Sequence, residues 1–250
     1  MLTSNNELRL NFAKVREEIR RSGFAFVTGA EMTATLTSGS VASDWNLLAD
    51  SWNNLGLDLY MADGGRYRRR RFAAFRISLG DISRKPHQPH YQSRDYNRLN
   101  GDIERWFEPI DERICFHPSI QALLAVCGKI FSDSKTNSFN LTNWHAEMHQ
   151  FRIEVGVDNL GCPTPEGLHR DGVDWVSVML INRRNVQSGT TEIFYDRTKK
   201  SNKFTLTNPL DTVFLDDTRV RHGVTPISRL IQEVEGYRDV LVLTFRRVSN

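Results

Sequence analysis

His169 and Asp171 lie two residues apart at the head of an apolar run, Val173 to Ile181, and His222 arrives much later, after a second apolar run, Thr212 to Leu215. Two histidines and one carboxylate in this pattern are the donor set that holds non-haem iron with coordination positions left open. The spacing also constrains the fold. In an extended strand residues i and i+2 point the same way, so His169 and Asp171 can reach one metal while Arg170 cannot. The third donor must then come from an opposite wall, after several intervening strands and turns. Arg238 adds a second component, because it precedes Val240-Leu241-Val242-Leu243-Thr244-Phe245, the most strand-like run in the chain. An arginine entering a closed cavity there would fork onto a carboxylate with two parallel hydrogen bonds. The competing reading pairs Arg238 with Asp239 or Glu235 at the surface.

The rest of the chain supplies walls for such a site. Leu8, Phe12, Val15 and Ile19 recur at helical spacing and stop at Gly23, after which Phe24 to Val27 reads as extended. Trp45, Leu48, Ala49, Trp52 and Leu55 form a second amphipathic stripe closed by Gly56, with both tryptophans expected in the core. A third helix starts at Pro118 and runs through Ile120, Leu123, Leu124 and Cys127. From Met148 onward short strands alternate with turn-rich segments such as Gly161-Cys162-Pro163-Thr164-Pro165 and Asn208-Pro209. This pattern predicts a mainly β fold, a double-stranded β-helix (jelly-roll, cupin-like) core with amino-terminal helices packed on one sheet. The chain has 250 residues, no linker and no repeat, which predicts a single domain, with support from 1–140 and the jelly-roll core over 145–248.

Composition narrows the partners. With 39% hydrophobic and 25% charged residues a packed core is affordable, and a net charge of +3 suits small anions without amounting to a nucleic-acid signature. Three cysteines without Cys-x-x-Cys spacing argue against a disulfide framework or a thiolate zinc site. The amino terminus lacks the basic start and apolar stretch of a signal peptide, and no apolar run approaches membrane-spanning length, so a cytoplasmic location away from membranes is expected. The oligomeric state is not legible.

Arg66-Tyr67-Arg68-Arg69-Arg70-Arg71 holds five arginines in six residues and raises the rival reading of a nucleic-acid-binding module. Gly64-Gly65 before it and Phe72-Ala73-Ala74-Phe75-Arg76-Ile77 after it read instead as a hairpin strand with alternate arginines facing opposite ways, leaving at most some of them for one ligand. His149 falls on one face of a strand, Gln150 and Arg152 on the other; the latter two fit either the pocket or a buried network. His145 and His149 have helical spacing in a segment that reads as strand, so zinc is not expected there. His87 and His90, among prolines, are expected exposed, and Trp106 and Phe107 are expected to pack in the core.

Taken together, His169-x-Asp171, His222-Gly223-Val224-Thr225-Pro226 and Arg238-Asp239-Val240-Leu241-Val242-Leu243-Thr244-Phe245 resemble the iron(II)/2-oxoglutarate dioxygenases. Adding His149-Gln150-x-Arg152, Gly189-Thr190-Thr191, Tyr91 to Asn97 and Arg68-x-Arg70-x-Phe72, the chain more narrowly resembles the bacterial L-isoleucine dioxygenase group over roughly residues 60 to 248. The resemblance implies Fe(II) on His169, Asp171 and His222, and 2-oxoglutarate and O2 as co-substrates. It implies co-substrate contacts from Arg238, Thr225 and Gln150, and contacts to an amino-acid substrate from Arg68, Arg70, Arg152 and Trp175. The implied reaction hydroxylates an unactivated C–H of a free L-amino acid and releases succinate and carbon dioxide. Other readings are a dioxygenase for another small carboxylate or a tethered substrate, a protein with zinc in the same triad, and the nucleic-acid module; a nucleic-acid partner is not expected.

Overall fold

The computed structural model describes residues 10–36, 45–78, 81–97, 99, 101–132, 143–157 and 159–248. Helix α1 (Phe12–Ser22) is capped by Asn11, whose side chain accepts the Lys14 N–H, and it ends at Gly23, which takes the left-handed conformation at φ 75°. Its buried stripe is Val15 and Ile19; Leu8, expected in that stripe, lies outside the described residues. Strand β1 (Phe24–Val27) follows, then α2 (Gly29–Leu36), which the sequence reading did not separate. The Trp45 stripe forms α3 (Trp45–Asp50) and a 3-10 turn over Ser51–Asn54. Trp52 is fully buried and its indole N–H donates to the Phe151 carbonyl, while Trp45 is half-buried.

The arginine run opens β2 (Arg68–Ser78), which turns into β3 (Asp81–Arg84). The hairpin therefore lies beyond the run; Gly64 sits in a tight turn whose N–H meets the Met61 carbonyl. A short α4 (Glu112–Cys115) leads to α5 (Pro118–Phe131), which continues one turn past the expected Cys127. The remaining elements are strands: β4 (Asn143–Val155), β5 (Trp175–Arg184), β6 (Val186–Ser188), β7 (Thr191–Tyr195), β8 (Lys200–Phe204), β9 (Thr212–Asp216), β10 (Arg221–Val224), β11 (Ile227–Arg229) and β12 (Gly236–Val248).

One antiparallel sheet has the order β1-β9-β5-β12-β4-β2-β3, and the opposing layer consists of β10-β7-β8 and β11-β6. This is the double-stranded β-helix, mainly β with helices on one side. Strand periodicity gives the large sheet two different faces. Trp144, Ala146 and Met148 of β4, Phe75 of β2 and Leu243 and Phe245 of β12 join α5 in the main core. Phe131 of α5 stacks on Trp175 at 5.1 Å and meets Phe245 edge-on. Burying one such ring stabilises the fold by about 1.5–3 kcal/mol. The other face carries Arg68, Arg70 and Phe72 of β2, Glu147, His149 and Phe151 of β4, and Arg238, Val240, Val242 and Thr244 of β12, aligned across the strands by register. Among the described residues no helix is long and apolar enough to cross a membrane.

Candidate active site

His169 and Asp171 stand in the loop before β5, not in the strand itself. An isolated antiparallel bridge joins His169 to His222 of β10, with both N–H groups donating across it at 2.9 Å. The single bridge brings distant donors together: Nε2 of His169 lies 3.6 Å from Asp171 Oδ1, and Nε2 of His222 lies 3.5 Å from Oδ2. Asp217 clamps the loop, its carboxylate accepting the N–H groups of Asp171, Gly172 and Val173 at 3.1, 2.8 and 3.1 Å. Gln92 donates to the Asp171 carbonyl at 3.0 Å. Gly172 is at φ 77° with the Tyr96 ring against it, where a Cβ would come within 2.4 Å.

The donor chemistry fits a divalent cation. His169 donates from Nδ1 to the Gly167 carbonyl at 3.0 Å, so Nε2 is the atom turned toward Asp171, as in metal-bound histidines, where a cation would replace its proton. Burial lowers the His169 pKa, but the Asp171 carboxylate overrides it and raises the value to about 9. Burial and His169 together push His222 down to about 4. Burial opposes the Asp171 charge, yet the two imidazoles hold that carboxyl well below its usual range. One proton on one imidazole is thus the best the three groups achieve alone; a cation among them would engage both Nε2 atoms and the carboxylate at once. Asp217 is pushed up to about 7 by burial and by Asp171, against the pull of its three N–H donors.

The triad opens on a pocket of about 980 Å³, mouth included, with Arg238 at its far end. Arg238 is 1% exposed, and its Nε and one Nη have no partner. Burial and the neighbouring Arg183 bring its pKa down to about 10. The surface pairing with Asp239 does not form, because Asp239 points to the opposite face and takes a two-point bond from Arg152 at 2.7 and 2.8 Å. A buried guanidinium with two idle N–H groups fits the carboxylate of a bound acid.

Arg68 and Arg70 line the same pocket. Arg68 is committed to buried Asp58 at 2.7 Å, and Arg70 lies over the rings of Phe107 and Phe151 at 3.7 and 4.5 Å. Four other expected contacts fall elsewhere. Gln150 faces away from the pocket and donates to Ser51 at 2.8 Å. Arg152 shares that outer face with Asp239. Thr225 is exposed, its hydroxyl accepting the Thr190 N–H, and Trp175 stacks in the main core. The remaining arginines of the run are divided: Arg69 pairs with Glu154, Arg71 with Glu108, and Arg66 is exposed. His90, expected exposed, is in the pocket wall, whereas His87 is exposed as expected. Phe107 is buried beneath Arg70, but Trp106 is 53% exposed.

Sequence reasoning missed Asp58, Arg105, Glu147 and Asp217. The signal for Glu147 was period-two alternation with His149 on β4; nothing local marks the others. His90, Glu147 and His149 form a second group with metal-like spacing. Its proton positions argue against a metal. Lysine and arginine only donate, so Lys85 at 2.8 Å and Arg70 at 2.7 Å fix Nδ1 of His145 and His149 as acceptors. Both Nε2 atoms therefore carry hydrogen and face Glu147 at 3.3 and 3.6 Å, and His90 donates from Nδ1 at 2.9 Å. Burial drives the His149 pKa to about 3, and burial also lowers that of His90. Three imidazole N–H groups thus face one carboxylate, holding Glu147 well below its normal range against the effect of burial.

Fold and triad define a non-haem iron oxygenase, and the family model for 2OG-Fe dioxygenases matches residues 49–244. The chain belongs to that family, whose cofactors are iron(II), 2-oxoglutarate and dioxygen. It is 27% identical over 158 residues to the L-isoleucine-4-hydroxylase of Bacillus thuringiensis, a match covering 62% of this chain and 64% of that protein's length. It is 24% identical over 240 residues to the 3(1)-hydroxy-L-isoleucine 4-dioxygenase of Pantoea ananatis, covering 92% of this chain and 94% of the relative. Among solved structures, a bsmA homolog from Methylobium petroleophilum PM1 superposes with a TM-score of 0.84 at 38% identity, over 96% of this chain and 94% of that one.

Proposed function

We propose that the protein is an iron(II)- and 2-oxoglutarate-dependent dioxygenase that hydroxylates an unactivated C–H of a free L-amino acid and releases succinate and carbon dioxide. The observation that carries this is Arg238, a fully buried guanidinium with two unpartnered N–H groups in the pocket that the triad opens on. His169, Asp171 and His222 would hold the iron, and Arg238 would take the far carboxylate of 2-oxoglutarate. Bound there, iron and co-substrate supply the oxidising power to replace an unactivated hydrogen with hydroxyl. The chain's residues supply aim. Val240, Val242 and Phe151 floor the pocket with apolar surface, and the Asp217 clamp keeps Asp171 in its orientation. An amino-acid substrate is supported by the named activities of the Bacillus and Pantoea relatives and by the polar wall described below. The cytoplasm is the proposed setting, in keeping with the buried free thiols Cys115 and Cys127.

The test is to load the protein with iron(II), add 2-oxoglutarate and a panel of free L-amino acids, and follow mass gain of one oxygen alongside succinate. A hydroxylated product matched by succinate, dependent on iron and oxygen and abolished in Asp171→Ala and His222→Ala, is the expected result. Product from another small carboxylate or a tethered amino acid alone would replace the substrate half of the proposal. Turnover without iron would overturn all of it.

A further inference from the structure

The pocket wall formed by His90, which the sequence reading places in a loop, and by Arg105 has its own polar design. His90 and Arg105 form an antiparallel bridge, each N–H donating to the other's carbonyl at 3.0 Å. Directly opposed residues of such a bridge extend their side chains from the same face, with Cβ atoms about 5 Å apart. Both side chains line the pocket. Arg105 is 2% exposed, its Nε has no partner, and its Nη2 donates to the Gln92 side-chain oxygen at 3.3 Å. Arg68 is committed to Asp58; Arg70, whose Nε is likewise without a partner, bonds His149 and is held between the Phe107 and Phe151 rings at 3.7 and 4.5 Å, closer than the 5.9 Å of Arg105 to Phe107. At this wall Arg68, Arg70 and Arg105 face the carboxylates of Asp58 and Glu147, one positive charge in excess, while Glu166 stands with His169 at 3.5 Å. His90 donates to Glu147 through Nδ1 and, being neutral, keeps a lone pair on Nε2.

We propose that Arg105 and His90 are the paired anchors for the α-carboxylate and α-ammonium of the substrate, so that the site selects an amino acid unblocked at both ends. The inference rests on the amino-acid reading above and goes beyond it by assigning the recognition. The two groups on one α-carbon match two anchors on one bridge: a charged fork for the carboxylate, and an imidazole acceptor backed by the Glu147 anion for the ammonium. Arg105 is tied to the metal loop through Gln92, which accepts from Arg105 and donates to the Asp171 carbonyl. The anchor thereby holds the α-carbon at a fixed reach from the triad, and the length of the side chain decides which carbon is presented. The expected carboxylate contacts Arg68 and Arg70 become its electrostatic support.

The test compares the best amino acid from the panel with its α-amide and its N-acetyl derivative, in wild type, Arg105→Gln and His90→Phe. Half-saturation by 2-oxoglutarate and the thermal midpoint are recorded in parallel. Arg105→Gln should raise KM for the acid about 100-fold, the loss of a buried charge-assisted bond, and erase the preference for acid over amide with the 2-oxoglutarate requirement unchanged. His90→Phe should erase the preference for the free amine over its N-acetyl form. If Arg105→Gln fails to fold, Arg105→Lys keeps the charge without the fork and should raise the same KM about tenfold. An acid-to-amide preference equal to wild type in the folded glutamine variant, or an unchanged KM in the lysine variant, overturns the assignment of Arg105. An unchanged amine preference in His90→Phe overturns that of His90. A wild type that oxidises none of the free amino acids marks instead the failure of the function reading, and the anchors fall with it.

Discussion

Arg238 and Arg152 occupy facing strands, yet alternation sends one guanidinium into the pocket and the other out to Asp239. The consequence is a clean prediction: Arg238→Ala should raise half-saturation by 2-oxoglutarate about 100-fold, with far less effect on the amino acid, measured as the two KM values under iron saturation. Equal shifts in both would detach Arg238 from the co-substrate. Asp217 acts on the metal loop from behind. Asp217→Asn weakens three N–H acceptances by one neutral oxygen and should lower iron affinity about 10–100-fold, read by metal titration. At this scale the triad was legible because His169-x-Asp171 and His222 each sit beside an apolar run, although the pair stands in the loop before β5 and not in the expected strand. Glu147, His90 and Arg105 were not, because their partnership closes across loops and strands far apart in the chain, and prolines around His90 read as exposure.

Among the elements, β4 shows where reading by period succeeds and where it stops. Alternation over Asn143–Val155 separates Glu147, His149 and Phe151 from Met148, Gln150 and Arg152, but the period does not say which set meets the pocket. The answer lies in β12, whose Asp239 pairs in register with Arg152 and draws that set outward. Helix α5 was legible from Pro118 and its apolar stripe, and its contribution is to seal the back of the sheet. Phe131→Ala should cost about 3–5 kcal/mol by opening a cavity beneath Trp175 and Phe245, measured by denaturant unfolding, with the co-substrate requirement of the folded fraction unchanged. A cost below 1 kcal/mol would mean that the aromatic stack is not a principal seal.

For the whole molecule, the buried imidazoles set a direction for acid sensitivity. His149 has a folded pKa near 3 against an unfolded value near 6.5, so its contribution is complete above pH 6.5 and is lost as pH falls from there toward 3. Glu147, with its folded pKa depressed, adds a loss of the same sign below its ordinary range. Unfolding free energy should therefore fall by about 1.4 kcal/mol per pH unit from His149 alone inside that window. Urea midpoints from pH 7 to pH 5 measure it, and His149→Gln should flatten the slope. A wild-type slope unchanged in that variant would show that the imidazole is not the titrating group.

Strand β12 lies in the middle of the large sheet and pairs along its length with β4 on one side and β5 on the other. It is also later in the chain than every other strand of that sheet. On a ribosome the chain emerges from its amino-terminal end, so β4 and β5 are made with the edges that will face the centre still bare. They cannot be zipped together until residues 236–248 leave the exit tunnel, and the same event delivers Arg238 to the pocket. The order of manufacture runs against the order of packing: the keystone is laid last, and until then the two half-sheets carry bare edges of the kind that pair with a neighbour's.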